Sequence, residues 1–267
     1  MRYSAPRQKK QIDQLLSLNN EKFELRDHLV SNATIIYLSE QLMSRSDVRV
    51  LSIKITPEYS DHLSTLTSAS RYFTDFSIAS EVDKEAMASL TALLAVNKHI
   101  IGLEIAGIDF SISMLDYIHN NYDNCPFKAI EALIKQAQHL IHFKLKYEAK
   151  HNPNCYYDAL PSYLAGGLED NQSIISFQID FAKVDKYRVR LVSLFDRNYK
   201  IVEDLISKDL LLLRKDFDPS QPITRRTLIE YYRKVEDVYN KVCILERNGI
   251  ENSFFGQIKS QCQVKLD

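Results

Sequence analysis

The stretch from Ala86 to Ser111, AMASLTALLAVNKHIIGLEIAGIDFS, carries two periodicities in succession. Leu90, Leu93 and Leu94 have the spacing that lays apolar side chains along one helix face, and Asn97-Lys98 ends that run. From Ile100 the period changes. Leu103 and Ile105 alternate with Gly102, Glu104 and Ala106, the pattern of a half-buried strand. One short helix and one short strand cannot bury their own apolar faces, so the unit must lean on copies of itself.

Counting finds the copies. In YLSEQLMSRSDVRVLSI, Leu38, Leu42, Val48, Leu51 and Ile53 keep the mutual spacings of Leu90, Leu94, Ile100, Leu103 and Ile105 without a gap. AIEALIKQAQHLIHFKL repeats the set as Ile130, Ile134, Leu140, Phe143 and Leu145, and YLAGGLEDNQSIISFQI as Leu164, Leu168, Ile174, Phe177 and Ile179. A fifth stretch, HLSTLTSASRYFTDFSI, keeps Leu63, Phe73, Phe76 and Ile78 but carries Thr67 at one core position. A sixth opens with Leu191, Phe195 and Ile201, then puts Asp204 where the strand's first core residue belongs, which ends the array.

A helix closed by an Asn-containing turn and followed by apolar-x-x-apolar-x-apolar resembles the leucine-rich repeats of the ribonuclease-inhibitor type. The motif stands here as IIGLEI, LIHFKL, IISFQI and VRVLSI, within roughly residues 34–206. The repeat is irregular, with spacings of 25 from Leu51 to Phe76, 27 on to Leu103, 40 to Phe143 and 34 to Phe177. The asparagine that usually follows the strand in this family is absent, with Ala106-Gly107 and Asp180-Phe181 in that region. The resemblance implies an irregular α/β leucine-rich-repeat solenoid, with parallel strands on a concave face and helices on a convex one. Degenerate, few-repeat versions with helical flanks are similar to effectors that intracellular bacterial pathogens deliver into host cells. That likeness implies a protein partner, a host factor or a co-delivered effector enzyme, and action in the host cytoplasm without a classical signal peptide.

Composition narrows the rest. A chain of 267 residues, 45% hydrophobic and 26% charged, is an ordinary soluble globular one with room for one large domain or two small ones. Its net charge of −1 removes the compositional case for nucleic acid, which needs a basic field. The N-terminus, MRYSAPRQKKQIDQLLSLNN, reaches only Leu15-Leu16 before turning polar, so it holds no secretory apolar core. No apolar run approaches a membrane span, and Leu210 to Leu213 falls far short of one. Cys125, Cys155, Cys243 and Cys262 make no CxxC pair, which points to a reducing, cytosolic setting. The chain is expected to be monomeric on its own and to need no cofactor or metal.

Three parts follow in order: an N-terminal helical cap over 1–33, the solenoid over 34–206 and a C-terminal helical unit over 207–267. In the cap, Ile12, Leu15 and Leu16 are expected on one helical face and Phe23, Leu25 and Leu29 on another, with Asn19-Asn20 and Ser31-Asn32 as breaks and N-caps. Two insertions, Ser111 to Phe127 and Glu148 to Asp158, account for the longest spacings. Both leave just after a strand, so both should project from the same rim. Beyond Tyr187 the pattern is helical. Leu191, Leu194 and Phe195 give one helix and Leu205, Ile206 and Leu210 a second. A longer helix should follow Pro222 and close at Asn248-Gly249, before a last one holding Phe254, Phe255 and Ile258.

Residues that alternate with the core positions of the strands face the concave side. They are Ser52 and Lys54, Asp75 and Ser77, Gly102 and Glu104, His142, Lys144 and Lys146, then Ser176, Gln178 and Asp180. With parallel strands about 4.8 Å apart, Glu104 faces Lys144, and His142, Lys144 and Lys146 form a basic column between acidic neighbours. Phe110, Tyr147 and Phe181 lie just beyond the strands, where an apolar anchor would help. The expected partner-binding set is therefore Lys54, Asp75, Glu104, Phe110, His142, Lys144, Lys146, Tyr147, Gln178, Asp180 and Phe181. The plainer reading is a solvated face with internal ion pairs worth about 0–1 kcal/mol each.

Catalytic chemistry has less to stand on. Cys125, His139, His142, His151 and Cys155 lack the spacing of a compact zinc site, and nothing near Cys243 or Cys262 activates a thiol. GxGxxG, GxxxxGKS/T, HExxH and GxSxG are all absent. Gly166-Gly167 falls inside a repeat helix, where it permits close packing. The basic run Thr224-Arg225-Arg226 opens a helix, where the dipole disfavours positive charge. A non-enzymatic protein-binding role is expected, the alternative being a hydrolase or transferase with its site in the insertions 111–127 and 148–158.

Overall fold

The change of period at Asn97 is a change of element. Lys84–Val96 is a helix, and Gly102–Ala106 is a strand. The same succession runs along the chain: α1 (Ser4–Ser17), β1 (Lys22–Asp27), α2 (Asn32–Leu42), β2 (Val50–Ile55), α3 (Lys84–Val96), β3 (Gly102–Ala106), α4 (Pro126–Gln136), β4 (His142–Lys146), α5 (Leu160–Asp170), β5 (Ser176–Asp180), then α6 (Asp185–Ser207), α7 (Pro222–Arg247) and α8 (Phe255–Leu266). The structure, a computed structural model, describes residues 4–27, 30–55, 84–106, 126–146, 160–180, 185–207 and 222–266.

All five strands are parallel and stand in chain order. Phe23, Leu51, Leu103, Phe143 and Phe177 form one row across the ladder, and Leu25, Ile53, Ile105, Leu145 and Ile179 the next. These rows meet the stripes of α1 to α5, such as Leu38, Leu90, Ile134 and Leu168, in one continuous core. Each fully buried leucine, isoleucine or phenylalanine contributes about 1.5–3 kcal/mol. Phe143 stacks on Phe177 at 5.7 Å, and Phe177 on Phe195 at 4.5 Å, which carries the core out to α6. The result is a parallel α/β repeat solenoid. Among the described residues, no helix is long and apolar enough to cross a membrane.

Three expectations need correction. Residues 22–27, expected as helix, are strand β1, so Phe23 and Leu25 bury on a period of two rather than on a helical face. Asn19 makes this possible: its backbone is left-handed (φ 50°), a conformation asparagine tolerates better than most residues, and α1 turns into β1 within a few residues. Second, β2 pairs directly with β3, Leu51 beside Leu103, so the ladder has no place for a strand between them. The copy at 63–78, with Asp75 and Ser77, lies outside the described residues and does not separate Ser52 from Glu104. Third, α6 runs unbroken from Asp185 to Ser207 where two helices were expected. It passes straight through the position of a sixth strand, so the ladder ends at β5, as Asp204 suggested.

Buried amides tie each turn to the one before it. Asn97 Nδ2 donates to the carbonyls of Leu42 and Arg45, both at 2.7 Å, while its Oδ1 accepts from the backbone N–H of His99. Asn171 does the same one step on: Nδ2 donates to Ile134 O (2.7 Å) and Ala137 O (3.0 Å), and Oδ1 accepts from Ser173 N and Ile174 N. Asn198 donates to Asn171 O and Ile174 O. In the second repeat Arg45 stands at the equivalent place and reaches Leu16 O. Helix-end carbonyls lack the next turn's N–H groups, and these side chains supply donors to them. Gly166 and Gly167 let α5 close on α4: a Cβ on Gly167 would stand 2.9 Å from Ile134 Cβ and 3.2 Å from Glu131 O.

The C-terminal helices form a strap. α7 ends in a Schellman turn, with Gly249 at φ 76°, Gly249 N donating to Glu246 O and Ile250 N to Leu245 O. A second core joins Val242, Leu245, Ile250, Phe255 and Ile258 to the strand-entry residues Val50, Ile101, Ile141 and Ile175. Arg247 pairs with Glu21 at 2.8 Å and Lys22 Nζ donates to Asn248 O at 3.3 Å, which fastens the strap beside β1.

Candidate functional site

Three rows of side chains alternate with the core rows on the ladder's concave side. The entry row is Lys22, Val50, Gly102, His142 and Ser176; the middle row is Glu24, Ser52, Glu104, Lys144 and Gln178; the exit row is Arg26, Lys54, Ala106, Lys146 and Asp180. Glu104 and Lys144 do stand side by side, as the strand spacing implied.

The strap covers the entry row. A Cβ on Gly102 would meet Leu245 Cδ2 at 3.2 Å and Ile250 Cδ1 at 3.5 Å, so α7 and the turn after it pack closely over the strand there. His142 and Ser176 are each 3% exposed and Glu104 6%, so these two expected site residues, His142 and Glu104, present almost no surface. The strap explains the difference: the sequence shows the strand pattern, but not what lies on top of it.

Charge within the buried part is internally matched. Glu104 Oε2 lies 3.2 Å from Lys22 Nζ and 4.0 Å from Lys54 Nζ, so the carboxylate closes on β1 and β2 rather than on Lys144. The Lys22 contact is ionic in distance but off the hydrogen-bonding direction, leaving Oε2 an unsatisfied acceptor. Burial is the largest influence on Glu104 and pushes its pKa up, but Lys22, Ser52 and Lys54 together outweigh it and hold the carboxyl below its usual range. Lys54 also reaches Glu24 at 3.4 Å, and Arg26 pairs with Glu24.

His142 Nδ1 lies 2.8 Å from Ser176 Oγ, and Nε2 lies 3.9 Å from Glu104 Oε1. The Nδ1–Ser176 contact is a hydrogen bond, whereas Nε2 faces the carboxylate beyond hydrogen-bonding distance and has no hydrogen-bond partner among the described residues. Desolvation, helped by Lys144 and Lys22 and opposed by Glu104, lowers the imidazole pKa to about 4, so it is neutral at pH 7. Serine, histidine and carboxylate stand together here, yet a serine so buried is closed to substrate, and the cluster works as packed polar structure.

The open part of the face is the middle and exit rows toward β4 and β5. Lys146 and Gln178 are exposed, and Lys54 and Lys144 half-buried. Among the described residues neither Lys144 nor Lys146 enters an ion pair with an acidic side chain. Asp180 lies in register beside Lys146. Phe110, Tyr147 and Phe181, with both insertions, Cys125, His151 and Cys155, fall outside the described residues. Among those described, no group of three or more His, Cys, Asp or Glu side chains converges as a metal site. Burial pushes the Cys262 thiol up to about 11, which makes it a poor nucleophile, and Arg226 is paired with Glu230 at 3.0 Å. The β1 contributions, Lys22, Glu24 and Arg26, are missing from the sequence-derived set; their signal is the alternation Lys-Phe-Glu-Leu-Arg over 22–26.

No family model matches the chain, and no curated protein matches it. Among solved structures it is similar to the tropomodulin C-terminal domain of Caenorhabditis elegans, with 12% identity over 74% of this chain and 95% of that one and a TM-score of 0.41. It is also similar to actin-binding site 2 of leiomodin-1, with 13% identity over 79% of this chain and 96% of that one and a TM-score of 0.44. At these scores neither likeness decides a fold or a partner, and both questions rest on the chain's own residues.

Proposed function

We propose that this is a non-enzymatic protein-binding solenoid that holds its partner on the open half of the concave face, over Lys54, Lys144, Lys146, Gln178 and Asp180. The observation that carries this reading is the imbalance on the ladder: Glu24 and Glu104 are used up by Lys22, Arg26 and Lys54, while Lys144 and Lys146 project from β4 unmatched by any described carboxylate. A face built on a hydrogen-bonded ladder is preformed, so little conformational entropy is lost on association. Phe110, Tyr147 and Phe181, which follow β3, β4 and β5 in the chain, are the proposed apolar anchors. The narrower form of the proposal, a ribonuclease-inhibitor-type bacterial effector acting on a host or co-delivered protein, is supported by the sequence resemblance alone.

The test is comparative capture. Wild type and Lys144→Glu/Lys146→Glu are used as baits beside Lys10→Glu, an exposed reversal on α1. A partner lost only from the double reversal, with unchanged thermal unfolding, supports the face. Equal capture by all three baits rejects it.

A further inference from the structure

The exit row has one gap. Ala106 stands in register between Lys54 on β2 and Lys146 on β4, a methyl group where both neighbouring strands carry a long cationic side chain, and this step in the row is the notch. With strands about 4.8 Å apart, the two lysine backbones lie roughly 9.6 Å apart, a span that long side chains can close around a small anion. Glu104, one pleat below, is already engaged by Lys22 and Lys54. We propose that this notch is a carboxylate-binding site, and that it receives a glutamate or aspartate side chain from an acidic segment of a protein partner. The inference deepens the protein-binding reading and rests on it.

Three observations support the chemistry. Among the described residues Lys22, Arg26 and Lys54 share Glu24 and Glu104, so three cations face two carboxylates before Lys144 and Lys146 are added. Lys54 Nζ lies 3.4 Å from Glu24 and 4.0 Å from Glu104, carboxylates that it shares with Arg26 and Lys22, so its charge is only partly offset. Burial lowers its pKa first, Glu104 opposes this, and Lys22 and Arg26 lower it further, so an incoming anion would relieve a cost the fold already carries. Ala106 is itself partly exposed, and Lys146 on the next strand is exposed. Asp180 lies on the side of Lys146 away from the notch. A nucleic acid is disfavoured because phosphate binding draws on an extended basic field, and the chain's net charge is −1.

The test uses the full chain and a fluorescent synthetic peptide rich in glutamate, beside its glutamine counterpart, inorganic phosphate and a single-stranded oligonucleotide. Ala106→Leu fills the notch and changes no charge, while Lys146→Gln removes one wall at an exposed position. Both should weaken binding of the glutamate peptide about tenfold or more, and the glutamine peptide should not bind. Lys146→Gln keeps the test valid if Ala106→Leu alters folding. The proposal is overturned if both variants bind like wild type, or if phosphate or the oligonucleotide binds more tightly than the peptide. Absent peptide binding, with partner capture still dependent on Lys144 and Lys146, rejects the notch and leaves the face. Notch-dependent peptide binding, with capture indifferent to those lysines, supports the notch and rejects the face as the partner's site.

Discussion

Asn171→Ala should be among the most damaging single substitutions outside the apolar core. Asn171 is fully buried, and its amide serves both directions of the chain. Removing Nδ2 takes from Ile134 O its one donor among the described residues, because Gln138 N turns to Gln136 O instead; Ala137 O keeps the N–H of Leu140 at 3.0 Å. Removing Oδ1 frees the N–H groups of Ser173 and Ile174. Ser173 is half-buried and water can reach it, but Ile174 is fully buried. Two orphaned buried groups at about 1–3 kcal/mol each give a loss of about 2–6 kcal/mol, large against a total stability of about 5–15 kcal/mol. At about 2–4 °C per kcal/mol, the midpoint of thermal unfolding should fall by roughly 8–16 °C for a central loss of about 4 kcal/mol. Urea unfolding followed by circular dichroism measures it directly, and Asn171→Asp should be no better, since it places a carboxylate against Ile134 O. A change below about 0.5 kcal/mol in Asn171→Ala would refute the tie between repeats.

The two adjacent glycines should behave differently. Gly167→Ala meets Ile134 Cβ and the Glu131 carbonyl, which cannot swing away, and should cost about 1–3 kcal/mol in urea unfolding; Gly166→Ala meets only the mobile Glu131 carboxylate at 2.8 Å and should cost less. Equal costs would mean that α4 and α5 are free to separate. Acid should weaken the fold in two stages. His142 is held at about 4 against an ordinary 6.5, so its contribution is complete above pH 6.5 and drains as pH falls toward 4, by at most about 1.4 kcal/mol per pH unit. Glu104 is held below its ordinary 4.5, so its contribution is present above that value and drains below it. His142→Asn should flatten the slope between pH 6.5 and 4.5, measured as the urea midpoint at fixed salt; an unchanged slope would assign it to other groups, with His139, also lowered to about 4, as the first to examine.

The repeats were legible because each one satisfies two periodicities at a constant internal offset, and the register follows from that offset alone: Leu51, Leu103, Phe143 and Phe177 fall in one row. β1 escaped for a definable reason. Ile12 and Leu16 precede Leu38 and Leu42 by 26 residues, whereas Phe23 and Leu25 precede Leu51 and Ile53 by 28, so a turn shorter by two residues breaks any gapless count. The shortening depends on a left-handed Asn19, a backbone state that asparagine permits and its presence does not announce. The weak copy at 63–78 failed in the opposite way. Its spacing is right, but Thr67 at a core position was the warning, and β2 and β3 close on each other without it.

The face was less legible than the fold because its character depends on contacts between parts of the chain far apart in sequence. Alternation assigns a side chain to the concave side; it does not say whether that side is wet. Glu104 and Lys144 occupy the same row one strand apart, yet Glu104 is buried with Lys22 and Lys54 closing on its carboxylate, while Lys144 is half-buried and pairs with no described carboxylate. The strap explains why Gly102 precedes Glu104. A Cβ at 102 would press on Leu245 Cδ2 at 3.2 Å and Val50 Cγ2 at 3.3 Å, so the glycine that resembles a strand weakness lets the C-terminal helix sit close to the strand. What the strap leaves uncovered is the end of the face richest in unmatched lysine. A face that spends Glu24 and Glu104 on Lys22, Arg26 and Lys54 leaves the charge of Lys144 and Lys146 to be met by water or by a partner.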